Sequence, residues 1–89
     1  MAPEEREKIR MHELCLVKDI IPTDLLPWLP CLTGEDKEVI LAEERQYGPT
    51  KAARVFLDRL RRRCNSFAQL VQALRENKLQ HLALILDPD

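Results

Sequence analysis

Glycine is scarce in this chain, and long apolar runs are missing from it. Only two glycines occur among the 89 residues, which argues against an all-β domain with many tight turns. The uncharged stretch from Leu25 to Gly34 spans ten residues and contains two prolines. No stretch approaches the ~20 apolar residues of a transmembrane helix, and no secretory signal is recognisable. We therefore expect a cytoplasmic protein.

Catalytic and metal-binding motifs are also absent. The three cysteines, Cys15, Cys31 and Cys64, are an odd number without C-x-x-C spacing, so we expect reduced thiols rather than a disulfide framework. His12 and His81 lie too far apart in sequence to form the close half of a zinc site. There is no glycine-rich phosphate loop, H-E-x-x-H motif or nucleophile elbow. These absences predict a protein that is not an enzyme and holds no metal or cofactor.

The overall composition of the chain is that of one small globular domain. Charged residues make up 33% of the chain and hydrophobic residues 45%, a balance too apolar for intrinsic disorder. A formal net charge of −1 is not that of a polycation built for nucleic acid. We expect a single domain over residues 1–89, ordered from about residue 5 to residue 87, with a short polar tail at 87–89.

Apolar residues recur at helical spacing in successive segments. In the clearest one they fall at i, i+3, i+4, i+7 and i+11, on Ala53, Phe56, Leu57, Leu60 and Cys64. The same spacing returns after Phe67 and again after Leu79, and no segment alternates with period two. Before Lys18 the apolar residues form two overlapping stripes, which predicts a bent first helix.

Capping and breaking residues divide these segments into six predicted helices. Thr33 and Asp36 have the spacing of a capping box, and Gly48-Pro49 is a helix stop followed by a start. We expect Pro22 to end the first helix, and Thr23 and Thr50 to cap the second and the fourth. Short connections force neighbouring helices to be roughly antiparallel. The sequence thus predicts an all-α, six-helix antiparallel bundle.

Charge is distributed unevenly along this bundle. Residues 35–44 carry a local net charge of −4, and residues 45–63 a local net charge of +6. One interpretation is that both sets are solvated helix faces that contribute little. The other is a pair of complementary surfaces on one monomer, which could meet head-to-tail in two copies and extend into a filament.

The order of these elements resembles the caspase recruitment domain (CARD) family of the death-fold superfamily. Residues 25–33, LLPWLPCLT, are similar to its junction between the second and third helices, and within the family to that of the mitochondrial antiviral signalling adaptor. Residues 50–60 resemble the fourth CARD helix, and residues 67–76 the fifth. The chain departs from the adaptor at Glu35 and Leu41, where the adaptor has basic residues.

The resemblance implies a six-helix death fold with a kinked first helix and no enzymatic activity. It also implies homotypic binding to other CARDs, namely further copies of itself, a downstream adaptor or a caspase, often in filaments and in innate-immune, inflammatory (inflammasome) or apoptotic signalling. In the contact that the resemblance implies, acidic residues on the second and third helices meet basic residues on the first and fourth. With the charge pattern, it predicts an acidic face of Asp24, Glu35, Asp36 and Glu38 and a basic face of Arg54, Arg61, Arg62 and Arg63.

Two alternatives remain open from the residues. The basic run at residues 59–63 could belong to a small helical nucleic-acid-binding domain, although no aromatic residues alternate with the arginines to stack on bases. Trp28 could be an exposed contact residue, although we favour partial burial in the core. We expect Tyr47, Phe56 and Phe67 in the core. We also expect an N-terminal domain of a longer protein, since the chain begins at Met1.

Overall fold

The computed structural model describes residues 1–88, and these residues fold into helices that we number α1 to α7. The elements are α1 (Pro3–Met11), α2 (Glu13–Asp19), α3 (Pro22–Leu25), a 3-10 turn (Leu26–Trp28), α4 (Gly34–Tyr47), α5 (Pro49–Arg61), α6 (Ser66–Glu76) and α7 (Gln80–Leu86). No strand occurs among the described residues. The predicted all-α bundle is confirmed. Of the predicted polar tail, Asp87 and Pro88 follow α7, and Asp89 lies outside the described residues.

The predicted first helix is divided in two at His12. The backbone there has φ −110° and ψ 15°, outside the helical range, and the His12 N–H donates to the carbonyl of Lys8. The break allows Ile9 of α1 and Leu16 and Val17 of α2 to be buried in the same core. The expected bend is therefore present, and it follows from two apolar stripes that one straight helix could not bury together.

Helices α4 and α5 form an antiparallel hairpin around Gly48. Gly48 has φ +93°, a conformation that favours glycine because a side chain would be strained there. Pro49 follows as the first residue of α5, where its fixed φ suits a helix start and its missing N–H costs nothing. The expectation that Thr50 caps this helix is wrong, since Gly48 occupies the N-cap position.

The boundary between the first two predicted helices also differs from expectation. Helix α2 ends at Asp19, and Pro22 begins α3 rather than ending the preceding helix. Thr23 lies inside α3 instead of capping it, and its hydroxyl donates to a carboxylate oxygen of Glu44 on α4. This hydrogen bond ties α3 to the second half of α4.

The core is built around α5. Ala53, Phe56, Leu57 and Leu60, the predicted stripe without Cys64, are fully buried. They pack with apolar residues from the other helices, including Leu16, Leu25, Ile40, Leu70, Leu74 and Leu82. Complete burial of a phenylalanine or leucine side chain contributes about 1.5–3 kcal/mol, so Phe56, Leu57 and Leu60 each stabilise the fold appreciably.

Two residues expected on the apolar side of the helices, Tyr47 and Cys64, lie at the surface. Tyr47 is 52% exposed, and the Lys51 ammonium lies 4.5 Å from the centre of its ring. Cys64 is exposed because α5 ends at Arg61, before the stripe reaches it. Cys15 is exposed as well. Trp28 is 44% exposed and is not part of the core, so the expectation of its partial burial in the core is wrong.

Candidate functional site

The start of α4 is capped by reciprocal hydrogen bonds between Thr33 and Asp36. The Asp36 backbone N–H donates to Thr33 Oγ1 at 3.1 Å, and the Thr33 backbone N–H donates to Asp36 Oδ2 at 3.0 Å. The predicted capping box is confirmed, with aspartate in the position that glutamate usually takes. The first bond satisfies one of the free N–H groups of the first helical turn.

The Asp36 carboxylate also binds two arginines from the far end of the hairpin. Arg59 Nη1 lies 3.2 Å from Asp36 Oδ1, and Arg63 Nη2 lies 2.6 Å from Oδ2. Asp36 is only 1% exposed. Its place on an exposed acidic face was therefore predicted wrongly. Antiparallel packing brings the start of α4 against the end of α5, and the carboxylate is used inside the molecule.

The environment of Asp36 favours its ionised form. Burial alone would raise the pKa of this carboxyl, because a charge is costly away from water. The hydrogen bonds from Thr33 and Arg63, together with the positive charge of Arg63, outweigh that effect and hold the pKa below its ordinary value. Asp36 is thus a charged, fully partnered group that joins the two helices.

A second carboxylate, Glu13, binds two residues of the predicted basic face. Arg61 Nη2 lies 2.9 Å from Glu13 Oε1, and Arg54 Nη1 lies 3.7 Å from Oε2. Glu13 is the first residue of α2, which packs against α5. One carboxylate therefore neutralises part of the positive charge that α5 carries.

Arg62 is the most exposed member of the predicted basic face. Its side chain is 64% exposed, and its partner is Asp58, one turn earlier on α5, at 3.1 Å. An exposed i, i+4 pair of this kind contributes only about 0.3–0.5 kcal/mol. We define Arg54, Arg61 and Arg62 as the basic surface, because Arg63 is committed to Asp36.

The remaining members of the predicted acidic face are exposed. Asp24 lies on α3, and Glu35 and Glu38 lie three residues apart in the first half of α4. None of the three forms a side-chain hydrogen bond or salt bridge with any residue from 1 to 88. We define Asp24, Glu35 and Glu38 as the acidic surface. The structure places the three on two adjacent helices, which are joined where Thr23, the neighbour of Asp24, bonds to Glu44 in the second half of α4.

Two charged residues of this arrangement, Glu13 and Arg59, were missed by the reading of the sequence. The pairing of Arg59 had a detectable signal, since Asp36 lies twelve residues before Gly48 and Arg59 lies eleven after it. In an antiparallel hairpin these positions lie opposite each other. Glu13 had no such signal, because its partners on α5 are more than forty positions away in sequence and meet it only through packing.

The described residues contain no cluster of metal-ligating side chains and no membrane-spanning helix. No group of three or more potential metal-ligating side chains occurs within residues 1–88. In the same part of the chain, no helix is both long enough and apolar enough to cross a membrane. The distinctive chemistry of the described surface is therefore its division into acidic and basic residues.

Comparison with protein-family models gives one match over residues 1–89, to the caspase recruitment domain. The chain belongs to this family. Comparison with curated proteins and with solved structures gives no match. CARDs are protein-interaction domains rather than a family of catalysts, and they bind other CARD or death-fold proteins. The chain is accordingly a homotypic protein–protein interaction module.

Proposed function

We propose that the domain binds other CARDs through charge, with the acidic surface of one copy against the basic surface of another. The observation that carries this proposal is the state of the acidic surface. Asp24, Glu35 and Glu38 are exposed and have no partner among residues 1–88. Carboxylates left free in this way are available to arginines of a second molecule.

The two surfaces lie on different helices, so one copy can present each surface to a different neighbour. The acidic surface is on α3 and α4, and the basic surface is on α5. A contact between two different surfaces is heterologous, and it extends into a helical filament when its rotation does not close a ring. We propose such oligomers or filaments of this domain in the cytoplasm. Their role would be recruitment of a CARD-bearing adaptor or caspase in innate-immune, inflammatory or apoptotic signalling.

The energetics of such a contact make it sensitive to salt. Each exposed ion pair is worth only about 0.2–1 kcal/mol, so several must act together at every contact. At physiological ionic strength charges are screened over about 8 Å. Assembly should therefore weaken steadily as salt is added, while the fold of each monomer is retained.

Charge reversal on each surface tests the proposal. Arg62→Glu should abolish assembly, and Asp24→Lys combined with Glu35→Lys should do the same from the other side. In a mixture of these two variants, the unchanged basic surface of one can still bind the unchanged acidic surface of the other. The reversed surfaces block further growth, so the mixture should give dimers and not filaments. Light scattering and electron microscopy measure the assemblies, and circular dichroism checks that each variant is folded.

Arg75→Glu is the matched control, since Arg75 is exposed on α6 and the substitution makes the same change in net charge. It should assemble like the unsubstituted domain. If Arg62→Glu also assembles like the unsubstituted domain at low salt, the charged surfaces are merely solvated and the proposal fails.

Nucleic-acid binding by the basic run is the weaker alternative. All four arginines of the run, Arg59, Arg61, Arg62 and Arg63, lie within salt-bridge distance of carboxylates in the same chain. Phosphate binding gains affinity when free cationic groups displace counterions, and Arg59 and Arg63 are not free for it because the buried carboxylate of Asp36 holds both. A gel shift with duplex and single-stranded oligonucleotides at low salt would reveal any such activity.

A further inference from the structure

The acidic and basic surfaces differ in how far the chain itself neutralises them. The acidic surface has no internal partner among the described residues. By contrast, Glu13 lies 2.9 Å from Arg61 and 3.7 Å from Arg54, two of the three residues of the basic surface. The Glu13 side chain is about as well covered as that of Arg61, at 29% and 27% exposure.

A partner carboxylate that approaches the basic surface must therefore compete with one already in place. Glu13 uses a separate oxygen for each arginine, as Oε1 faces Arg61 and Oε2 faces Arg54. Its charge also repels an incoming carboxylate, and like charges brought together suppress docking. A basic partner that approaches the acidic surface meets no corresponding internal cation.

We infer that Glu13 is an internal competitor for acidic partner surfaces, and that it weakens binding through the basic surface while leaving the acidic surface unaffected. This inference rests on the proposed function. It makes the two surfaces of the domain unequal in binding, because the acidic surface can bind a basic partner without displacing an internal ion pair. The basic surface binds more weakly, because a carboxylate of the partner competes with Glu13 for Arg54 and Arg61.

Two substitutions at Glu13 distinguish its competition with a partner carboxylate from its contribution to the fold of the domain. Glu13→Gln removes the charge. Glu13→Asp keeps the charge, and it keeps an acidic residue at the start of α2, where it interacts favourably with the helix dipole. The side chain becomes one methylene shorter and cannot hold both arginines as Glu13 does. Glu7→Gln is the control for charge, since Glu7 is an exposed residue of α1 that pairs with Arg10 instead of α5.

The test uses a pair of copies in which only one contact is fully complementary, since in the other the unchanged Arg54 and Arg61 repel the lysines introduced at positions 24 and 35. The basic-presenting copy carries Asp24→Lys and Glu35→Lys, and the acidic-presenting copy carries Arg62→Glu. Glu13→Gln or Glu13→Asp is placed in one copy at a time, and the dissociation constant is measured by isothermal titration calorimetry. In the basic-presenting copy each substitution should tighten binding roughly two- to fivefold, the factor that corresponds to one exposed ion pair. In the acidic-presenting copy neither should change it, and Glu7→Gln should have no effect in either.

The outcomes distinguish this inference from the proposed function. If the pair associates but the Glu13 substitutions leave its dissociation constant unchanged or raise it, Glu13 is not a competitor and the inference alone is overturned. Equal tightening from both copies, or from Glu7→Gln, would assign the effect to net charge and also overturn it. If the pair does not associate at all, the proposed function fails and this inference fails with it.

Discussion

Arg63, just beyond the end of α5, binds the buried carboxylate of Asp36 at the start of α4. Its Nη2 lies 2.6 Å from Oδ2 and its Nε lies 2.9 Å from the same oxygen. The residues are 27 positions apart in sequence, and together they close the open end of the α4–α5 hairpin opposite Gly48. A residue matched by family resemblance to a docking surface thus also holds the monomer together.

Arg63→Glu should destabilise the fold, whereas Arg62→Glu should not. The first substitution removes a hydrogen-bonded cation from buried Asp36 and places a like charge beside it, which should cost about 1–3 kcal/mol. Arg59 remains as a second partner and limits the loss. Arg62 has only an exposed pair with Asp58, and its loss should cost under about 0.5 kcal/mol. Urea unfolding measures both, and equal midpoints for the two variants would contradict the assignment of Arg63 to the fold.

The free energy of unfolding should fall less on acidification in Asp36→Asn than in the unsubstituted domain. Because the pKa of folded Asp36 is lowered from 3.8, its contribution to stability is fully present above the unfolded pKa. That contribution is lost as the pH falls through the folded pKa. Glu7, whose pKa is also lowered by its hydrogen bond to Arg10, titrates in the same acidic range in both proteins. The difference between the two proteins therefore isolates Asp36.

Free energies of unfolding measured from pH 6 down to pH 2 test this prediction. The difference in free energy of unfolding between the unsubstituted domain and Asp36→Asn should be largest near pH 6 and should decrease towards pH 2. A difference that stays constant over this range would mean that Asp36 is not preferentially ionised in the fold.

Leu60→Ala and Phe56→Ala should each weaken the domain severely. Both side chains are fully buried on α5, and such truncations cost about 2–5 kcal/mol through lost burial and the cavity that remains. Leu14→Ala is the matched control because Leu14 is 69% exposed on α2, so it should change stability by less than about 0.5 kcal/mol. Thermal melts followed by circular dichroism compare the three, and a Leu60→Ala melt like that of Leu14→Ala would contradict the position of α5 in the core.

The purified domain should contain no stoichiometric zinc. The reason is that His, Cys, Asp and Glu side chains of residues 1–88 form no cluster of three or more that could hold the ion. Elemental analysis by mass spectrometry measures the metal content directly. One equivalent of zinc that survives dialysis would show that this expectation is wrong.

Most of the fold could be predicted from local sequence pattern. The stripe of Ala53, Phe56, Leu57 and Leu60 has helical spacing that only a buried helix face explains. Thr33 with Asp36, and Gly48 with Pro49, mark helix ends through hydrogen-bonding and backbone rules that act within a few residues. Tyr47 and Cys64 were assigned incorrectly because the helical spacing of apolar residues in the sequence does not show where a helix ends. Tyr47 is the last residue of α4, and Cys64 follows the end of α5.

The sequence by itself determined the helical class, the family resemblance and the separation of acidic from basic segments, since each depends on residue types and short spacings. Only the tertiary structure decided which charges are free. Asp36 and Glu35 are adjacent in the chain, yet one is buried between two arginines and the other is exposed. Glu13 meets Arg54 and Arg61 only because α2 packs on α5. Charge partners are set by distances of a few ångströms between helices, because ion-pair energies fall with separation and with exposure to water, and helix packing sets those distances.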